Sequence, residues 1–180
     1  VTISRLRYKV EFPASFTLVA AANPCPCGYW GEGDRCTCTP SQRMNYLSRL
    51  SGPLLDRIDL QLWIRSVPPG RMIGCGKAES SAAVAARVKA AREIQTRRFA
   101  LEPISCNAEM SKRQIELYCP LSEACLSTLD RLMQRMSLSL RAYFRIIRVA
   151  RTIADLEGAA SIEPQHLEEA ALYRVLDREN

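Results

Sequence analysis

The chain has 180 residues, 47% of them apolar and 24% charged, which is enough for one packed domain or two small ones. No apolar run approaches the ~20 residues that a membrane-spanning helix needs, and the start Val1-Thr-Ile-Ser-Arg5 has none of the pattern of a signal peptide. The net charge of +6 is concentrated in the first hundred residues, an imbalance that suits a polyanionic partner although many proteins of other function carry as much. Eight cysteines, four of them clustered at Cys25, Cys27, Cys36 and Cys38, do not form the framework of a secreted disulfide protein, so a reducing cytoplasm is expected. A first residue other than Met fits a segment of a longer protein.

Val1, Ile3, Leu6, Tyr8, Val10 and Phe12 alternate with polar residues, which predicts a hairpin of two short strands with Arg5, Arg7 and Lys9 at or beside its tip. Pro13 breaks the pattern, and residues 16–22 form a continuous apolar run that predicts a strand of a parallel sheet. Cysteine, glycine and aromatic residues make 23–39 a loop. Residues 40–50 read as a helix and 53–56 as a helical turn, while 58–64 alternate as a further strand. Pro68, Pro69, Gly70, Gly74 and Gly76 mark 67–78 as a linker. Helices are then expected at 80–99, 111–119, 122–135, 139–157 and 163–176, with Gly158 as a stop signal and Pro164 suited to a first turn. The predicted organisation is an α/β part over 1–66, a linker over 67–78 and an all-helical lid over 79–180.

A phosphate-binding loop requires G-x-x-x-x-G-K-[ST], and the only Gly-Lys pair, Gly76-Lys77, lacks both the opening glycine and the hydroxyl residue. No apolar strand ends in an acidic run either, so the chain by itself is not expected to hydrolyse ATP. Asn23 ends the apolar run at 16–22, where ligands gather in open α/β sheets, although Asn-Pro is also a common turn starter. Arg57 lies between Asp56 and Asp59 and suits either phosphate neutralisation or a local ion pair. Arg141, Arg145, Arg148 and Arg151 share one face of the 139–157 helix, as a solvated stripe or an anion-binding one. Cys25, Cys27, Cys36 and Cys38 form a C-x-C-x8-C-x-C array that suits structural Zn2+, free thiols or a disulfide. Tyr29, Trp30 and Arg35 in the same loop suit base stacking or packing of the loop, and His166 reads as a surface residue of the last helix.

Ala21-Ala-Asn-Pro-Cys-Pro-Cys-Gly28, Leu50-Ser-Gly-Pro-Leu-Leu-Asp-Arg-Ile-Asp-Leu60, Ala91-Arg-Glu-Ile-Gln-Thr-Arg-Arg98 and Ala150-Arg-Thr-Ile-Ala-Asp-Leu156 occur in an order that resembles the magnesium-chelatase-like AAA+ ATPases of the ComM/YifB group over nearly the whole chain. The resemblance implies the C-terminal part of a AAA+ core, a β-hairpin plus parallel strands, followed by a helical lid bundle. It also implies catalytic roles for Asn23 as sensor 1 and Arg57 as arginine finger, with Arg141 and Arg145 on the nucleotide from the sensor-2 helix. Implied cofactors are ATP and Mg2+ in the full-length protein, and the implied partners are further copies in a ring of six and DNA, since the group includes a hexameric branch-migration helicase. Arg5, Arg7 and Lys9 are then the expected DNA contacts. The departure from the group is the missing Walker A and Walker B motifs. A chelatase ATPase subunit acting on protein partners in porphyrin metallation, and a non-enzymatic interaction module, are the alternative functions.

Overall fold

The computed structural model of the chain describes residues 2–5, 8–12, 16–50, 52–64, 66–67 and 79–174, which divide into two units, Val1–Ser48 and Arg49–Asn180. Most of the expected linker, 68–78, lies outside the described residues.

In the first unit, β1 (Thr2–Arg5) and β2 (Tyr8–Glu11) form the expected antiparallel hairpin, in the register Thr2↔Glu11, Ile3↔Val10, Ser4↔Lys9 and Arg5↔Tyr8. Directly opposed residues share a face, so Arg5 and Lys9 project from opposite faces of this ribbon. Among the described residues the unit has one α-helix, α1 (Pro40–Leu47). Thr39 and Gln42 start it with a reciprocal capping box, the Gln42 N–H donating to Thr39 Oγ1 at 3.2 Å and the Thr39 N–H to Gln42 Oε1 at 2.9 Å.

Residues 16–22, expected as a parallel strand, have no ladder partner among the described residues, and Phe16, Leu18 and Val19 are exposed. An apolar run acquires strand geometry from neighbours on its edges, and none of the described segments lies along it. The second expected strand, 58–64, contributes one parallel bridge, Gln61↔Arg174. The class is therefore mixed, with a two-stranded sheet and helices, and among the described residues the parallel pairing is that one bridge.

The second unit opens with α2 (Gly52–Leu55) and continues as a bundle of α3 (Ser81–Arg98), α4 (Lys112–Tyr118), α5 (Glu123–Met136), α6 (Leu140–Glu157) and α7 (Pro164–Leu172). Ser80, Ser111, Ser122 and Ser139 cap four of these starts with side-chain acceptors, each worth about 1 kcal/mol. Helix α6 ends where Gly158 takes a left-handed φ of 72°, which lets the Ala159 N–H return to the Ala154 carbonyl at 2.8 Å. Leu129 and Leu132 of α5, Ile146, Ile147 and Ala150 of α6, and Leu167, Ala170 and Ala171 of α7 are buried together, with Phe99, Met110 and Ile115 closing the core. Each large aliphatic residue sealed in this way contributes about 1.5–3 kcal/mol.

His166 is not the surface residue that its polar type suggests, since only 1% of it is exposed. The Glu163 N–H donates to Nδ1 at 2.8 Å, which leaves the proton on Nε2 to donate to Glu157 at 2.9 Å. A histidine at the third position of α7 thus takes the place of the glutamine in a capping box.

A candidate nucleotide-contact turn and a cysteine cluster

In the second unit, the turn after α2 presents Arg57, which is exposed. Its acidic neighbours are engaged with the helical bundle. Asp56 accepts from Ser139 Oγ at 3.1 Å and from Arg174 at 3.4 Å, and Asp59 pairs with Arg145. The buried Arg174 also donates to the Ile58 carbonyl at 2.8 Å, while the Gln61 N–H donates to the Tyr173 carbonyl at 2.7 Å. The turn is therefore fastened on both sides of Arg57. Ser139 caps α6 through the Ala142 N–H at 3.2 Å while it donates to Asp56. One hydroxyl thereby joins the Arg57 turn to the first turn of α6, which carries Arg141.

The four arginines of α6 do not form one stripe. Arg145 is committed to Asp59, Arg148 donates to the Met110 carbonyl, and Arg151 is buried. Burial, with the charge of Arg145 added, lowers the pKa of Arg148. Arg141 is exposed and makes no hydrogen bond or ion pair among the described residues. Of the two expected nucleotide ligands, Arg141 thus has an available guanidinium, and Arg145 serves the fastening of the turn.

Arg151 belongs to a buried network that no local pattern announced. Asp155, fully enclosed, accepts from Arg98 at 2.8 and 2.5 Å, from Asn107 at 2.8 Å and from Arg151 at 3.1 Å. Arg151 also donates to the Ala159 and Ala160 carbonyls at 2.7 and 3.0 Å, which closes the C-terminal end of α6. The hydrogen bonds to Asp155 hold the Arg98 pKa above its usual value. Arg98 and Asp155 both lie in family-like segments, Arg98 at the end of one and Asp155 one residue before the end of another, but their pairing spans 57 residues.

In the first unit, Asn23 is exposed at the end of the 16–22 run. The loop after it doubles back at Gly28, whose positive φ of 82° suits glycine and which lies beside the Asn23 side chain. Cys25, Cys27, Cys36 and Cys38 converge in this loop with all four sulfurs within 4.8 Å of one another, a set able to hold a metal ion. The Tyr29 backbone N–H donating to its sulfur takes the Cys27 pKa down to about 6. At Cys38 the Cys27 N–H also favours the thiolate, but burial and the neighbouring sulfurs outweigh it and push the pKa up to about 11. Arg35 of the same loop lies 4.4 Å over the Tyr29 ring and Arg43 of α1 lies 5.6 Å over Trp30, so each aromatic ring carries a cation. Arg5 and Lys9 are exposed on the hairpin, and Arg7 lies outside the described residues.

Residues 1–72 match the family described as magnesium chelatase, subunit ChlI, and residues 78–174 match magnesium chelatase, subunit ChlI C-terminal. The chain belongs to this magnesium chelatase ChlI family. It is 46% identical over 179 residues to the uncharacterized protein YifB of Salmonella typhimurium and 44% identical over 181 residues to YifB of Escherichia coli. It is 42% identical over 179 residues to the competence protein ComM of Haemophilus influenzae. Each match covers 99% of this chain and 34% of the relative, so the chain spans about a third of the length of these curated relatives.

Proposed function

We propose that this chain supplies sensor and arginine-finger residues to ATP hydrolysis in a ring of subunits, six in the expected assembly, that remodels DNA. The observation that carries the reading is the Arg57 turn. An exposed guanidinium stands on a loop whose flanking carboxylates are tied to the bundle through Ser139, Arg145 and Arg174. A cation aimed at a neighbour's phosphates needs such rigid support, because its contribution depends on being in position before charge develops.

In this reading Arg57 reaches the γ-phosphate of the adjacent subunit, Arg141 meets phosphate from the start of α6, and Asn23 orients the attacking water. Arg145 acts on the nucleotide through the Asp59 pair that holds the turn. ATP and Mg2+ require a phosphate-binding loop, which this chain does not contain, so the described residues fit the surrounding cations of such a site and not its cradle. The Mg2+ would neutralise phosphate charge there. Arg5, Arg7 and Lys9 would follow a DNA backbone from the hairpin, with Arg5 and Lys9 on its two faces. The cytoplasm, which keeps thiols reduced, is the compartment this reading implies.

The decisive test is Arg57→Ala in the full-length protein. Turnover of ATP should fall by about 10³–10⁵ while nucleotide affinity is retained, as expected for a group that acts only on the transition state. Unchanged turnover removes the finger assignment. The name of the matched family favours a second reading, a chelatase subunit acting on protein partners. Salt-dependent DNA binding that loses about one unit of log–log slope for each hairpin cation removed separates the two.

A further inference from the structure

Among the described residues of Val1–Ser48 only Cys25 is buried, so the loop that folds around it has no apolar core. Sulfur takes the place of that core. Cys25 Sγ lies 3.3 Å from Cys27 Sγ and 3.8 Å from Cys36 Sγ, and Cys27 Sγ lies 3.6 Å from Cys36 Sγ. A tetrahedron of thiolates about 2.3 Å from a central ion has edges of about 3.8 Å, close to these separations. An iron–sulfur cluster distributes its cysteines over several irons and holds them farther apart than a set confined within 4.8 Å.

Backbone N–H groups supply the surrounding shell. Trp30 donates to the Cys25 sulfur, Tyr29 and Thr37 to Cys27, and Cys27 to Cys38. Such donors offset the negative charge of metal-bound thiolates and orient them. The short C-x-C spacing is accommodated because Gly28 turns with a positive φ and its N–H closes on the Cys25 carbonyl at 3.0 Å.

We propose that Cys25, Cys27, Cys36 and Cys38 bind one Zn2+ as a closed, structural tetrathiolate site that serves as the core of this loop. A tetrahedral S4 set selects Zn2+ among the hard and borderline divalent ions, and four protein ligands leave no position for substrate. The ion fastens the chain two residues after Asn23 and again just before the α1 cap at Thr39. The site does not depend on the nucleotide reading.

Metal analysis of the full-length protein, purified without chelator, should find about one zinc per chain, falling below about a tenth in the Cys36→Ser/Cys38→Ser double variant and unchanged in Cys106→Ser. Should the double variant fail to fold, titration of the unaltered protein with an organomercurial decides the matter. Zinc release should be complete when about four thiols have reacted. Cobalt in place of zinc should show thiolate charge-transfer and tetrahedral d–d absorption. Trypsin should cut after Arg35 and Arg43 at least about tenfold faster once zinc is removed, because the loop opens without its core. Iron with cluster absorption, a metal-free protein with these cysteines in disulfides, or metal unaffected by the double variant would each overturn the proposal.

Discussion

The two units of this chain are held by different physics. The second encloses aliphatic side chains from three helices and a buried charge network around Asp155. The first, where Cys25 is the one buried residue among those described and four sulfurs converge, places its order in a loop. A short, cysteine-rich, glycine-turned segment cannot remove enough apolar surface from water to offset the entropy of its own ordering, whereas a bundle of long helices can. The difference predicts that the helical unit is sensitive to cavities and orphaned charges, and the loop unit to whatever binds sulfur.

The strongest test of the helical side is Asp155→Ala. It leaves Arg98, Arg151 and Asn107 facing an empty buried position, with only the Ala159 and Ala160 carbonyls still engaging Arg151. Loss of one partner from a buried charge cluster costs about 3–5 kcal/mol. Urea unfolding followed by far-ultraviolet circular dichroism measures this directly. A loss below about 1 kcal/mol would mean that the network is hydrated in solution and that the aliphatic core alone holds the bundle.

What the sequence revealed of this comparison divides along the same line. The starts of α3, α4, α5 and α6 were legible because a cap is a local event, a serine whose hydroxyl meets a backbone N–H three residues on. The cysteine cluster was legible from its spacing. Four arginines on α6 were also visible, but not their division into one exposed group, one fastener, one carbonyl donor and one network member. Their partners Asp59, Met110 and Asp155 lie on different elements or a full turn away. The apolar run at 16–22 misled for the converse reason, since its composition is right for a strand while a ladder also needs a neighbour. His166 was misplaced because a lone polar residue gives no sign of whether a backbone N–H and the carboxylate of a surface glutamate will meet its two ring nitrogens.

Thiol reactivity sharpens the comparison further. Cys119 and Cys125 belong to the aliphatic core, and burial pushes the Cys119 pKa up to about 11. At pH 8 that leaves about one molecule in a thousand as thiolate, before steric exclusion is counted. With the cluster free of metal, Cys27, whose pKa lies at about 6, should react with a thiol reagent at least about a hundredfold faster than Cys119 and Cys125. Mass spectrometry of the labelled peptides assigns each rate. Equal rates would dissolve the distinction between the two kinds of core.

The smallest expected effect tests whether the candidate finger is truly part of the helical unit. Ser139 and Ser122 both cap helices, through Ala142 and Cys125 at 3.2 and 3.3 Å, but Ser139 alone also donates to Asp56. Ser122→Ala should therefore cost about 1 kcal/mol, the ordinary value of a lost cap. Ser139→Ala should cost about 1 kcal/mol more, because the Asp56 oxygen gives up a partner at the same time. The excess should vanish when Asp56 is already replaced by Ala, which makes the pair a double-mutant cycle with a coupling energy of its own. Equal costs for the two serines, with no coupling to Asp56, would detach the Arg57 turn from the start of α6. The rigid support argued for its action on a neighbouring phosphate would then rest on Arg145 and Arg174 alone, without the hydroxyl link to the first turn of α6.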